Sequence, residues 1–198
     1  MRRSPIRDSG ESIFNPVPIR FEILAARHSV APFDCGNAKI TDWLREQALA
    51  QRVAGKYATY VAVEEETGSE MIVGYFAVRA DYILYPPTRG STYRHVVPVV
   101  EIAYLGRDRR WKRREIGIRL VLEALRVALE AHESLGGFAG VHLTTTDKGR
   151  HLYIDPRIAF GPHPAGNTAD DYYKPMQDVR ALLRVDETSP AIDGTMTP

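Results

Sequence analysis

Three consecutive segments in the middle of the chain constrain its fold most. Residues 96–105, VVPVVEIAYL, are nearly all apolar or β-branched, as expected of a central strand buried on both faces. A basic loop follows, and residues 116–135 then carry the apolar periodicity of an amphipathic helix. Gly136 and Gly137 end this helix, and residues 138–146, FAGVHLTTT, are typical of another strand. The order predicts a βαβ crossover with two parallel strands.

The helix at 116–135 is expected to have one exposed and one buried side. Its charged residues recur at spacings of four and three and form favourable pairs: Arg119, Glu123, Arg126, Glu130 and Glu133. Four apolar residues mark the predicted buried side: Ile118, Leu122, Leu125 and Leu129.

The remaining segments predict further strands and helices. Residues 21–26 form a short strand, and Asn37 is the predicted N-cap of a helix that Gly55 ends. Residues 57–65 and 71–84 are β-rich and form a hairpin through the turn ETGSE. Further on, DKGRHLYI is predicted as a short helix or turn, and the tyrosines of YYKPMQDVRALL as strand residues. The fold class is therefore α/β, with a mixed sheet and flanking helices.

Length and composition favour one domain. The chain has 198 residues, of which 44% are hydrophobic and 26% charged, so we expect one core. Residues 1–16 and 186–198 lack periodicity and are predicted to be disordered ends of a domain at 17–185. The single cysteine, Cys35, excludes an internal disulfide framework, and no apolar run approaches the ~20 residues of a membrane span. We expect a cytoplasmic protein without a membrane anchor.

The loop RDRRWKRR, residues 107–114, places six basic side chains in eight positions. Because the formal net charge is only +1, this charge is local rather than a general property of the chain. Lys112, Arg113 and Arg114 surround the start of a helix, where unpaired amides already favour an anion, and Gly117 allows close approach. A pyrophosphate group fits such a site; a solvated run of charge is the alternative.

The segment DRRWKRREIGIRLVLEAL resembles motif A of the GNAT acetyltransferases, in which a loop and helix bind the pyrophosphate of acetyl-CoA. The six loop positions of that motif correspond here to Lys112, Arg113, Arg114, Glu115, Ile116 and Gly117. Two positions depart from the pattern. Lys112 replaces the usual Gln or Arg of the motif. Glu115 replaces its first glycine and puts a carboxylate where phosphate should approach.

Four further segments resemble one subgroup, the GNAT toxins of toxin–antitoxin pairs. They are FDCGNAKITDWLREQA (33–48), TYV (59–61), IVGYF (72–76) and KPMQDVRALL (174–183). The resemblance implies a GNAT-like mixed central sheet, acetyl-CoA as acetyl donor and the α-amine of aminoacyl-tRNA as acceptor. It also implies a small ribbon-helix-helix antitoxin and a homodimer as partners. Arg109, Arg110 and Lys112 could then bind tRNA phosphates.

The same resemblance implies roles in catalysis. Backbone groups of Leu105, Gly106 and Arg107, at the end of the long strand, should bind the pantetheine arm and the thioester oxygen. Tyr153 in HLYIDPRIAF matches the tyrosine that protonates the leaving thiolate, although Phe160 lies two positions further along than in the family pattern. A tyrosine that only packs against the sheet is the alternative.

The general base is not identified by the sequence. Glu101 is a charged residue in an apolar strand, and it could be either a base acting through water or a structural carboxylate paired with an arginine. His95, His142 and His151 could titrate near neutral pH, but their spacing does not indicate a metal site. His142 is predicted to be a packed core residue.

Two other functions stay open at this stage. Acetylation of a small amine or a protein lysine would use the same scaffold. Alternatively, Glu115 could have abolished cofactor binding and left a non-catalytic module that binds nucleic acid.

Overall fold

A seven-stranded mixed sheet forms the centre of the protein, with strand order β1-β2-β3-β4-β5-β7-β6. The computed structural model describes residues 18–65, 71–85, 95–112, 115–166 and 168–187. The strands are β1 (Ile19–Ile23), β2 (Ala58–Glu64), β3 (Ile72–Tyr85), β4 (His95–Arg107), β5 (Gly140–Thr144), β6 (Gly161–Pro162) and β7 (Asp171–Pro175). The helices are α1 (Ala38–Asp42), α2 (Ala48–Val53), α3 (Ile116–Leu135), α4 (Arg150–Tyr153) and α5 (Met176–Glu187). A π-helical turn, Trp43–Gln47, joins α1 to α2.

The crossover predicted from the sequence is present. Strands β4 and β5 are parallel neighbours, and α3 connects them. Its bounds agree with those predicted, and Gly136 and Gly137 follow it with positive φ angles of 74° and 83°. The other neighbouring strands pair antiparallel, so β4 is the strand at which the sheet changes from antiparallel to parallel.

Strand β4 is irregular at its centre. On the β3 side, Ala77 pairs with Tyr104 but Val78 pairs with Ile102, so Ala103 is an extra, bulged residue. On the β5 side, the ladder consists of only two pairs, Val100 with Val141 and Glu101 with His142. Both strands continue beyond these pairs. They therefore part and leave a gap in the middle of the sheet.

Helices cover both faces of the sheet. Helices α3 and α5 pack on one face over the larger apolar cluster, which includes Val100, Ile102, Val141 and Leu143. On the other face, α1, the π-helical turn and α2 cover a second cluster, with Trp43 stacked on Tyr104 at 3.9 Å between ring centroids. The N-cap prediction is confirmed, since the Asn37 side chain accepts a hydrogen bond from the amide of Ile40 at 3.3 Å.

The buried face of α3 differs from the prediction. Six side chains are fully buried: Ile116, Leu120, Val121, Ala124, Leu125 and Ala128. Of the predicted set, only Leu125 belongs to them, whereas Ile118 and Leu129 are partly buried. Two of these buried residues, Ala124 and Ala128, have small side chains, which allow the helix to pack closely on the sheet. The ion pairs of Arg126 with Glu123 and Glu130 confirm part of the exposed stripe.

Some of the predicted bounds and burial differ from the structure, and others fall outside its described residues. Strand β4 is not buried throughout, because His95, Val96 and Pro98 are exposed. Helix α5 continues to Glu187, past the predicted domain end. The predicted N-terminal extension, the turn ETGSE and residues 188–198 lie outside the described residues. No helix among the described residues is long and apolar enough to cross a membrane.

Gly140 offers a test of the sheet packing. A Cβ at this position would lie 2.5 Å from the backbone oxygen of Lys174 and 2.5 Å from the hydroxyl oxygen of Tyr173. We expect Gly140→Ala to lower the free energy of unfolding by about 1–3 kcal/mol, because backbone cannot move aside cheaply. Gly161→Ala is the matched control, since its nearest atom would be 3.8 Å away. Urea unfolding measures the free energy of unfolding of both variants. If Gly140→Ala were as stable as Gly161→Ala, this packing would be contradicted.

Candidate active site

A cavity of about 590 Å³ occupies the gap between β4 and β5. Three parts of the chain form most of its wall: residues 102–107 of β4, residues 115–118 at the start of α3, and residues 144–153 with the loop and α4 after β5. Residues 35–37 and Ile40 close it on the side of α1. The cavity therefore lies where the sequence placed the candidate cofactor site.

The edge of β4 supplies the first functional surface. Leu105, Gly106 and Arg107 all line the cavity, beyond the last residue of β4 that pairs with β5. Main-chain groups on this edge have lost a strand partner and can bind an extended ligand. Gly106 is tightly enclosed, since a Cβ there would lie 3.0 Å from Ile40 Cγ2 and 3.1 Å from the Tyr75 ring.

The N-terminus of α3 supplies the second surface. Glu115 precedes the helix in the left-handed conformation, with φ 53°, and its side chain makes no capping hydrogen bond. The first intrahelical bond in this turn runs from the Arg119 amide to the Glu115 carbonyl at 3.1 Å. The amides of Ile116, Gly117 and Ile118 precede it, and all three residues line the cavity. Such a turn attracts an anion.

Glu115 does not project an uncompensated charge into this site. Its carboxylate accepts a hydrogen bond from Arg157 Nη1 at 2.5 Å, and Arg157 Nη2 lies 3.0 Å from Asp155. The hydrogen bonds to Asp155 and then to Glu115 raise the pKa of Arg157. Arg157 lines the cavity but was missed from the sequence, because it lies 42 positions from Glu115 and matches no motif position.

The basic loop divides into residues with different roles. Arg110 donates two hydrogen bonds to the buried carboxylate of Asp108, at 2.9 and 2.8 Å. Arg109 forms an ion pair with Asp34 at 2.9 Å. Lys112 is exposed and lines the cavity. Arg113 and Arg114 lie outside the described residues.

Asp108 connects the basic loop to the FDCGN segment. Besides Arg110, its carboxylate accepts a hydrogen bond from the amide of Asp34 at 3.1 Å. Burial alone would raise the pKa of Asp108, but the hydrogen bonds from Arg110 and Asp34 lower it on balance. The Asp34 carboxylate in turn accepts from the Gly36 amide at 2.7 Å. FDCGN is thereby held as one wall of the cavity.

Tyr153 lies in α4 with its ring almost fully buried, at 7% exposure, and it lines the same cavity. Its hydroxyl group makes no hydrogen bond to any residue that the structure describes. Burial raises the pKa of Tyr153, so the phenol is protonated at neutral pH. Phe160 still packs on it edge-to-face at 5.9 Å, because the loop after α4 turns back through Ala159 at φ 50°.

Glu101 does not line the cavity, and the structure pairs it with an arginine. Its carboxylate accepts a hydrogen bond from Arg79 Nε, and Arg79 Nη1 donates to the Tyr57 hydroxyl at 3.2 Å. Burial alone would lower the pKa of Arg79, but the bond to Glu101 outweighs it and raises that pKa. Of the two interpretations of Glu101, this contact favours the structural carboxylate.

One cluster of potential metal ligands occurs among the described residues. One potential ligand atom from each of Asp81, Glu101 and His142 lies within 4.8 Å of the other two. The Arg79 guanidinium contacts both carboxylates, with Nη2 3.7 Å from Asp81. This cation already compensates their charge, so we do not assign a metal here. His142, predicted to pack in the core, lies instead beside Asp81.

Comparison with known proteins gives matches in sequence and in structure. The chain is 27% identical to a tRNA-acetylating toxin of Mycobacterium tuberculosis over 128 residues, which cover 63% of this chain and 75% of the toxin. No protein-family profile matches the chain.

Solved structures of two toxins match over most of the chain. AtaTR bound with acetyl-CoA superposes with a TM-score of 0.73 at 20% identity, covering 83% of this chain and 98% of that one. AtaT complexed with acetyl-methionyl-tRNAfMet gives 0.71 at 20% identity, covering 84% and 99%. The KacTA–DNA complex gives 0.70 at 20% identity, covering 85% and 100%. These matches confirm the resemblance drawn from the motifs: the chain has the GNAT fold and is similar to the acetyltransferase toxins.

Proposed function

We propose that the protein is an acetyl-CoA-dependent N-acetyltransferase that acetylates the α-amine of aminoacyl-tRNA. The observation that carries the proposal is the composition of the single cavity described above. It has free helix amides at one side, an unpartnered strand edge along its length, and the protonated hydroxyl of Tyr153 in its wall. The relatives with tRNA-acetylating activity or bound acetyl-CoA support the choice of substrate and donor.

The cavity residues account for each part of the donor. The diphosphate would lie against the amides of Ile116, Gly117 and Ile118, with Lys112 nearby. The pantetheine arm would follow the free edge of β4 at Leu105 to Arg107, and the thioester would lie where β4 and β5 part. This arrangement fixes the reacting carbonyl beside Tyr153.

Tyr153 is proposed to protonate the thiolate that leaves. A phenol with a raised pKa remains protonated until negative charge develops on the sulfur. Two other tyrosines fit this role less well: Tyr172 does not line the cavity, and the Tyr173 hydroxyl donates to the carbonyl of Ala139 at 2.9 Å.

Within the described part of the basic loop, less unpaired positive charge is available to tRNA than the sequence suggests. Arg109 and Arg110 are ion-paired with Asp34 and Asp108, whereas Lys112 and Lys148 are exposed beside the cavity. These lysines are the described candidates for contacts with tRNA phosphates. Such a substrate places the reaction in the cytoplasm.

The same relatives support an antitoxin partner, whereas its type and a homodimer are implied only by the motif resemblance. AtaT has been solved with its antitoxin AtaR, and KacTA has been solved with DNA. We infer a small antitoxin of the ribbon-helix-helix type for this chain, and a homodimer as its active form. Neutralisation of growth arrest by the neighbouring reading frame would test the antitoxin.

The first prediction concerns the acid. Tyr153→Phe should lower kcat roughly a hundredfold or more, because it removes a general acid, while the Kd for CoA stays unchanged. Transfer of radiolabelled acetyl groups to aminoacylated tRNA measures the rate, and calorimetry measures binding. Tyr82→Phe, on an exposed tyrosine of β3, is the control. Unchanged turnover in Tyr153→Phe would refute its role as general acid. If the wild-type chain bound no CoA, the non-catalytic binding module would be the remaining function.

A second prediction concerns the ion pair at the diphosphate site. Arg157→Gln should weaken CoA binding roughly two- to fivefold, because the Glu115 carboxylate then opposes the diphosphate at the helix N-terminus. Adding Glu115→Gln in the same chain should restore binding. The control is the double variant Arg180→Gln with Glu133→Gln, which removes an ion pair between α5 and the far end of α3. Equal affinity of Arg157→Gln and wild type, by calorimetry, would exclude a diphosphate beside Glu115.

A further inference from the structure

The last pair between β4 and β5 places two titratable side chains where the strands part. Glu101 pairs with His142, and the cavity begins at Ile102 on β4 and Thr144 on β5. Ile102 and Leu143 are buried beneath α3. Because strand side chains alternate, Glu101 and His142 project from the opposite face. The α3 side of the gap is taken up by these buried side chains and by the proposed donor site, so the face of Glu101 and His142 is the one left for the amine.

Glu101 is poorly suited to accept the proton of that amine. Its carboxylate is bound by the Arg79 guanidinium, which also donates to the Tyr57 hydroxyl and lies 5.4 Å from the Tyr57 ring centroid. While the guanidinium is bound to it, this carboxylate is not free to accept a proton from the amine. The charge of Glu101 is therefore used to hold Arg79.

His142 does not line the cavity either, but its surroundings differ from those of Glu101. Its Nε2 lies 3.3 Å from Asp81 Oδ2, within ion-pair distance, and makes no hydrogen bond within the described part of the chain. A carboxylate beside an imidazole orients the ring and stabilises its protonated form, as in acid–base dyads generally. Histidine is also the side chain that changes charge nearest to neutral pH. We propose that His142 accepts the proton of the acceptor amine and that Asp81 is its positioning residue.

The other titratable and charged groups around the His142 ring are less suited to accept the proton of the amine. They are Asp81 and Arg79 on β3, Glu101 on β4, Tyr173 on β7 and His163 after β6. The His163 ring lies 5.6 Å from that of His142, and burial, followed by the charge of His142, lowers the pKa of His163. Its Nδ1 accepts from the Ala165 amide at 3.1 Å. The Tyr173 hydroxyl already donates to a carbonyl.

This proton transfer rests on the proposed acetyl transfer and is its first step. The substrate ammonium gives one proton to Nδ1 of His142, the ring nitrogen that does not face Asp81, and becomes a neutral amine. Its lone pair attacks the thioester carbon, a C–N bond forms and the C–S bond breaks. The sulfur takes a proton from Tyr153, which regains one from the new amide nitrogen through solvent. His142 returns its proton to solvent.

The test compares pH profiles of the full chain. The rate of acetyl transfer to aminoacylated tRNA is measured from pH 5 to pH 8, the range in which histidine changes charge. His142→Gln should lower kcat/KM roughly a hundredfold at neutral pH and move the fall in rate toward acid to the higher pH at which the substrate amine itself is protonated, with the Kd for CoA unchanged. Asp81→Asn should move that fall to lower pH, since a neutral amide stabilises the imidazolium less.

Two control variants make the outcome decisive. His95→Gln, on an exposed histidine at the far end of β4, should keep the wild-type profile. If Glu101→Gln rather than His142→Gln moved the acid fall to higher pH, or if His142→Gln kept the wild-type profile, the assignment would be overturned. Asp81→Asn decides the matter if His142→Gln does not fold. A wild-type chain that binds CoA but leaves aminoacylated tRNA unmodified would instead refute the proposed function.

Discussion

The parting of β4 and β5 after two residue pairs is the constraint on which the rest of the structure depends. A continuous parallel ladder would satisfy the main chain of β4 and leave no space in the sheet. Here the bulge at Ala103 and the short ladder separate the strands, and the cavity fills the gap. The crossover helix α3 must begin at the end of β4, so its free amides face the same space. One irregularity thus creates a strand edge and an anion site together.

Two of the arginines after β4, Arg109 and Arg110, have a structural explanation. Asp108 is buried with Arg110 on its carboxylate, and it also holds the amide of Asp34. Arg109 adds an ion pair to the Asp34 side chain. An uncompensated buried carboxylate would be costly, so the aspartate and its arginine are needed together. Part of the charge that the sequence offers to phosphate instead fixes the FDCGN wall.

How far the sequence predicted the site depends on whether each contact is local. Ile116 and Gly117 follow the basic loop at the start of a helix, so a local pattern was sufficient to place them at an anion site, whereas Leu105 and Gly106 were placed by resemblance. Tyr153 was located only by resemblance, because its approach to the cavity depends on where α4 packs. The Arg157–Glu115 pair could not be predicted, since it joins two exposed residues through a loop whose path no local pattern determines. The same holds for Asp34 and Asp108, which are 74 positions apart.

The sheet also separates the two proton transfers of the proposed reaction. Tyr153 belongs to the cluster beneath α3, where burial keeps its phenol protonated. Asp81 and His142 lie on the opposite face, beside carboxylates and partly open to solvent, an environment that tolerates a positive imidazolium. A base on the buried face would be penalised on gaining charge, and an acid on the charged face could lose its proton early. The alternation of side chains at the end of the β4–β5 ladder places His142 on the charged face, and the packing of α4 places Tyr153 in the cluster beneath α3.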